Sequence, residues 1–428
     1  MTAATLRWLI GFYMVAAMVM ASNPAAADPL DGKALYDDVR RYDSFGPHRY
    51  GSPGAAQAFD WIAGELVRAG LVVSSQNFAM GRQYDFESGS LSVDGKTVDV
   101  APHWWIPEAS ASFALTAPIA VSGEAGGRFV RVTLPFDRTA YLNKTHRAQL
   151  DEAFVRHPAA VLLSIDHPSG EIYTYNVDQD GKPWPVPVIL VAARDKPLLE
   201  AAEQSGKPVT VTIKGRYRRD VPGRNVIGRL DRGKGRTIVV STPVTSWFTS
   251  TCERAPGIAG FLAIARIAKE RLVDADLVFI ASAGHEIGHG GMEQFLHSGA
   301  PPPAKTVAWA HFGASIACYG WRRDDGRWVA DKTIDARLRV IARSQSMDAL
   351  VTRQFAGIAG TSLVGDKAAI GELRDVHAAG YPNFFGMAGL HGLFHTPADS
   401  AAGTGPEILE PVVRAFAATL AEAVSPAR

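Results

Sequence analysis

The stretch "DLVFIASAGHEIGHGG", residues 276–291, joins a short apolar run to a turn crowded with glycine and histidine. The apolar half has few polar interruptions, the pattern of a strand buried on both faces of a parallel sheet. The second half contains His285-Glu286-Ile287-Gly288-His289, an H-E-x-x-H sequence. On a helix that spacing sets two imidazoles on one face around a zinc ion, with the carboxylate placed to activate water. The residues disfavour such a helix. Gly284, Gly288, Gly290 and Gly291 fall within eight positions, and each costs about 1 kcal/mol in a helix interior relative to Ala. The pentapeptide is therefore expected in a strand-to-helix turn, with "MEQFLHSG" starting the helix and His289 peripheral to any metal.

Outward from this turn the chain alternates. "RTIVVST" reads as a strand, "GIAGFLAIARIAKERL" as a helix, "DLVFIASA" as a strand, "GMEQFLHSG" as a helix and "TVAWAHFG" as a strand. Alternation of this kind predicts an α/β fold, a mostly parallel mixed sheet with helices on both faces. In such sheets ligands gather at the carboxyl ends of the strands. Those ends are "STPVTSWFTSTCER", "GHEIGHGG" and "HFGASIACYG". Upstream, Phe59, Ile62, Leu66 and Val67 recur at helical spacing, and "LVVSSQNF" follows as a strand. Between about 101 and 215 the texture changes to short β-like runs broken by Gly and Pro, with "DKPLLEAAEQSG" as a helix among them. The expected organisation is thus residues 28–100 opening the main domain, 101–215 an inserted β-rich module, and 216–428 the rest of the main domain.

The chain has 428 residues, 47% of them hydrophobic, which is enough for more than one core. With 44 basic and 43 acidic residues it presents no net field to nucleic acid or to an anionic membrane. The N-terminus reads as an export signal: Arg7, then the apolar "WLIGFYMVAAMVMA", then "AAA" (25–27) before Asp28. Residues 1–27 are expected to be removed and the mature chain to be secreted or periplasmic. The other reading is an uncleaved anchor, and no later segment is long and apolar enough to span a bilayer. Cys252 and Cys318 are too few for a disulfide scaffold and lack metal-ligand spacing, although export would permit them to pair.

With "YGSPG", "NVIGRL", "GIAGFLAIARIAKE", the "HEIG" turn, "AAGYP" and "FHTPADS" in place, the chain resembles the zinc exopeptidase family of bacterial leucyl aminopeptidases and aminopeptidase Y. Glutaminyl cyclases are more distant relatives, and some members carry an inserted protease-associated domain. The resemblance implies zinc, peptide or other amide substrates and a site at the strand ends. His395 matches a zinc ligand of the C-terminal His-Thr-x-x-Asp loop, and Asp399 matches its last residue. Glu286 stands for a ligand Glu and Glu253 for the bridging Asp, whereas His285 replaces the general base. Ligands private to the first zinc are missing: Pro243 and Thr245 stand where a His-x-Asp is expected, and Gly313 ends a stretch in which His311 is the remaining donor. The resemblance therefore implies one zinc per chain on Glu253, Glu286 and His395, with water or His285 as the fourth ligand.

Several residues keep more than one reading. His285 is a proton-transferring base, a further ligand or a turn histidine. His311 touches metal or substrate at its strand end; His289 and His391 lie at the rim with a metal or substrate role or none. Glu253 is a ligand or a solvated charge beside Arg254. Asp399 orients a ligand or caps a turn, and Glu372 lies where the family presents a polar substrate contact. Trp104, Trp105, Phe384 and Phe385 line a cleft or pack in the core. Two functions follow: an exported, metal-dependent, aminopeptidase-like hydrolase, or an inactive peptide- or glycan-binding protein on the same scaffold. Cyclase-like transfer, a third, suffers from the missing acidic base.

Overall fold

The computed structural model describes residues 28–424 apart from 80–82, 177–181, 220, 326 and 334–338. The export signal read at 1–27 lies outside the described residues. The main unit is built on an eight-stranded sheet whose order is Val72–Ala79, Pro222–Leu230, Asp276–Ser282, Thr237–Pro243, Thr306–Phe312, Phe384–Gly389, Arg339–Arg343, Ser362–Gly365. Four neighbours at its centre, from Asp276–Ser282 to Phe384–Gly389, are parallel. All seven residues of Thr237–Pro243 are buried, as the apolar run required of a strand covered on both faces.

Period-two alternation sends successive residues to opposite layers. Ile238, Val240, Leu277 and Phe279 pack with helices Gly32–Asp43, Thr251–Arg271 and Pro406–Val424. Val239, Val278 and Ile280 face helices Gly290–Ser298 and Glu372–Ala378 through Met292, Phe295, Leu373 and Val376. Thr251–Arg271 is buried around almost its whole circumference, so its apolar residues are spread around the helix instead of forming one stripe, and its first turn buries Glu253 and Arg254 as well. Its first turn is tied by the Cys252–Cys318 disulfide to the segment after Thr306–Phe312. Among the described residues no helix is long and apolar enough to cross a membrane. The α/β expectation with helices on both faces holds.

A second, seven-stranded sheet runs in the order Phe113–Ala117, Val209–Arg218, Gln83–Val93, Lys96–Pro102, Val188–Val191, Ala160–Ile165, Phe129–Leu134, with a core on each face. It starts at Gln83, earlier than the change of texture near 101. The hairpin Gln83–Val93/Lys96–Pro102 is half exposed and polar, so it carries no apolar run to announce it.

Candidate active site

Two groups of polar side chains meet at the carboxyl ends of the four parallel strands, and they differ in access to solvent. The first group is closed. Glu253, in the first turn of Thr251–Arg271, and Arg254 and His395 all have side chains with 0% exposure. An Arg254 Nη lies 2.8 Å from Glu253 Oε1, and Arg254 Nε donates to the carbonyl of Thr245 at 2.9 Å. Ser246 donates to Glu253 Oε2 at 2.7 Å. His395 gives Nδ1–H to the carbonyl of Thr174 in the second unit at 3.0 Å, which turns Nε2 toward Glu253 Oε1 at 3.5 Å. Burial alone would raise the Glu253 carboxyl, but Arg254 and His395 outweigh it and hold the group well below the usual range.

Glu286 is buried in the same region with both oxygens occupied: Oε1 accepts from the backbone N–H of Tyr50 at 2.9 Å and Oε2 from the Thr245 hydroxyl at 2.6 Å. Burial raises its pKa, opposed by these bonds and by Arg254. Thr245 holds Glu286 and also accepts the N–H of Gly284. Asp399 accepts the backbone N–H groups of Cys252 (2.9 Å) and Glu253 (3.0 Å). It thus caps the helix that carries Glu253, and not the turn that follows Asp399 itself.

The second group is also buried, with partial exposure only at its edge. His285 lies in a one-turn 3-10 helix, His285–Ile287, between Gly284 (φ 72°) and Gly288 (φ 92°). His289 follows at φ 64° and begins helix Gly290–Ser298. This left-handed sequence folds the chain back on itself, so the two imidazoles stack with centroids 5.0 Å apart. Asn225 clamps the turn, donating to the carbonyl of Gly291 at 2.7 Å and accepting the N–H of Ala283 at 3.1 Å. A Cβ on Gly291 would lie 2.5 Å from the Ala283 oxygen, so only glycine fits the close approach.

Glu372, at the start of Glu372–Ala378, places Oε1 2.8 Å from His285 Nδ1, and Oε2 3.6 Å from His311 Nε2. His311 Nδ1 is 2.9 Å from the Ser241 hydroxyl. His289 Nδ1 is 2.7 Å from Asp375 Oδ2, and Tyr141 of the second unit approaches its Nε2 at 3.5 Å. Burial, and after it the field of Arg254, hold His285 neutral down to about 4. The side chains of His285 and Asp375 keep 11% and 28% of their surface exposed.

Among the described residues, two groups of three have donor atoms that all lie within 4.8 Å of one another: His285, His289 and Glu372, and Cys252, Cys318 and His391. The second is a disulfide beside a histidine that meets Ser315 at 3.0 Å. Glu253, Glu286 and His395 form no such group. His289, expected at the periphery, is drawn against His285 and Asp375. Ser246, Asn225 and Asp375 were not singled out by sequence, and Arg254 was read there only as the neighbour of a solvated Glu253, whereas the two are buried together. Phe384 and Phe385 are core residues, and Trp104 is buried against Trp247 with the guanidinium of Arg49 over its ring.

No protein-family model matches the chain, and no curated protein does. Solved structures do. BSAP, a zinc aminopeptidase from Bacillus subtilis, superposes with a TM-score of 0.71 over 92% of this chain and 95% of its own, at 18% identity. The fold is that of the zinc aminopeptidases. A peptidase M28 precursor from Shewanella amazonensis gives 0.66 at 14% identity, covering 92% and 93% of the two chains. An aminopeptidase from Aneurinibacillus sp. strain AM-1 gives 0.60 at 15%, covering 94% and 97%. This architecture brings both polar groups described above to the strand ends.

Proposed function

We propose that this protein is an exported exopeptidase-type hydrolase of peptides or related amides that works with one zinc per chain. What supports the reading most is a buried histidine and carboxylate cluster at the parallel strand ends of a zinc-aminopeptidase fold. A bound zinc supplies Lewis acidity and a more acidic water. The chain's own contribution is orientation. Asp375 fixes the tautomer of His289, Ser241 holds the His311 ring in place, and the partly exposed Asp375 offers an anion to a free peptide ammonium. The second unit, read as protease-associated-like, roofs both groups through Tyr141 and Thr174.

Glu253, Glu286 and His395 do not fit a zinc ion as they stand. A guanidinium already pairs with Glu253, both Glu286 oxygens accept hydrogen bonds, and Glu253 and His395 are closed to solvent. A dication beside Arg254 would meet like charge in a low-dielectric interior. No step runs through a metal on those residues.

The internal cation favours one alternative, a peptide-binding protein without turnover. Unblocked and N-acetylated peptide amides separate the two. The hydrolase reading expects chelator-sensitive release from unblocked amides and at least tenfold less from acetylated ones. Retention of peptide with no release by the zinc-replete chain would replace it with the binding reading. Export is tested by N-terminal sequencing of extracytoplasmic protein, expected to begin near Asp28; a full-length membrane-retained chain would contradict it.

A further inference from the structure

We propose that His285, His289 and Glu372 form a zinc site of two imidazoles and one carboxylate, displaced from the closed carboxylate group around Glu253. The assignment deepens the hydrolase reading, on which its catalytic meaning rests, while metal uptake itself is measured without substrate.

Three observations carry it. The first is convergence: the donor atoms of the three residues lie within 4.8 Å of one another although they come from a turn and from a helix more than eighty positions away. Two histidines and a carboxylate are ordinary zinc donors. The second is unmet bonding capacity. Glu372 Oε2 and His311 Nε2 are buried without a hydrogen-bond partner, 3.6 Å apart. Buried polar atoms are rarely left so. A cation bound there takes the place of the proton between His285 Nδ1 and Glu372 Oε1 and draws the carboxylate into its coordination.

The third is orientation from behind. The Asp375 carboxylate holds His289 Nδ1 at 2.7 Å, so Nε2 is the lone-pair nitrogen, the arrangement that makes a metal-binding histidine more basic. His289 is kept there by a left-handed backbone, φ 64°, a conformation that a non-glycine residue adopts at a cost and that clusters at functional sites. His311 stands behind Glu372 as a positioning residue, itself held by Ser241.

Titration of the metal-free mature chain with zinc by calorimetry, and with cobalt by visible absorption, tests the site. The expected result is one ion per chain, with cobalt bands of a low-coordinate nitrogen–oxygen site. Glu372→Gln and His289→Gln are expected to weaken uptake by a hundredfold or more. Asp375→Asn is expected to weaken it by about tenfold, as loss of an outer partner does. His395→Gln is expected to leave it unchanged. Equal uptake by Glu372→Gln, or loss in His395→Gln, would overturn the assignment. Should a variant fail to fold, the wild type still decides: zinc is expected to protect His285 and His289 from diethylpyrocarbonate, and undiminished modification at saturating zinc would overturn the site. Zinc bound there with no amide release would instead remove the hydrolase reading and leave the site standing.

Discussion

Acidification is expected to unfold this protein before most of its carboxylates titrate. His48, His103 and His167 are buried, and burial, the largest influence on each, lowers its pKa from 6.5 to about 4. His48 stacks on Tyr42, and His167 on Tyr173. His103 accepts the indole N–H of Trp184 on Nδ1 at 2.9 Å, a bond that its protonated form cannot accept. Between pH 6.5 and 4 the unfolded chain therefore binds more protons than the folded one. The associated stability is complete above the unfolded value and is lost as pH falls through the folded one. A shift of about 2.5 units corresponds to about 3 kcal/mol per histidine, so three together rival the whole stability of an ordinary domain. Urea midpoints measured from pH 7.5 down to 4.5 should fall steeply below pH 6, and His103→Gln should flatten the slope. A midpoint constant to pH 5 would show that these rings are solvated.

Replacement of Arg254 by Met is the second large effect. The side chain is fully buried beside Glu253, and removing one member of such a pair leaves the other charge uncompensated. The expected cost is about 3–5 kcal/mol. Glu253→Gln combined with Arg254→Met should recover a good part of it, because two neutral side chains need no counter-ion and Ser246 still has an acceptor. A double-mutant cycle in urea reads the coupling directly. If Arg254→Met alone stays within about 1 kcal/mol of wild type, the guanidinium is not the charge that stabilises Glu253.

The alternation from "RTIVVST" to "TVAWAHFG" made the parallel centre legible, because buried strands and covering helices leave runs of different length and period. The hairpin Gln83–Val93/Lys96–Pro102 left no such mark, being polar on its exposed face. At the site, glycine density correctly argued against a helix across 285–289. It did not reveal that left-handed turns at Gly284, Gly288 and His289 can bring residues four apart together by another route. Backbone handedness at a histidine is not written in its identity. Nor could spacing show that Arg254 folds back onto its neighbour, since consecutive helical residues point in different directions and the ion pair depends on a closed interior.

The account turns on where the metal sits. Crystals of the mature protein soaked in zinc, measured on both sides of the zinc absorption edge, locate it without reference to activity. The prediction is one anomalous peak per chain, bounded by His285, His289 and Glu372, with Arg254 still paired to Glu253. A peak among Glu253, Glu286 and His395, with the Arg254 guanidinium displaced, would contradict it.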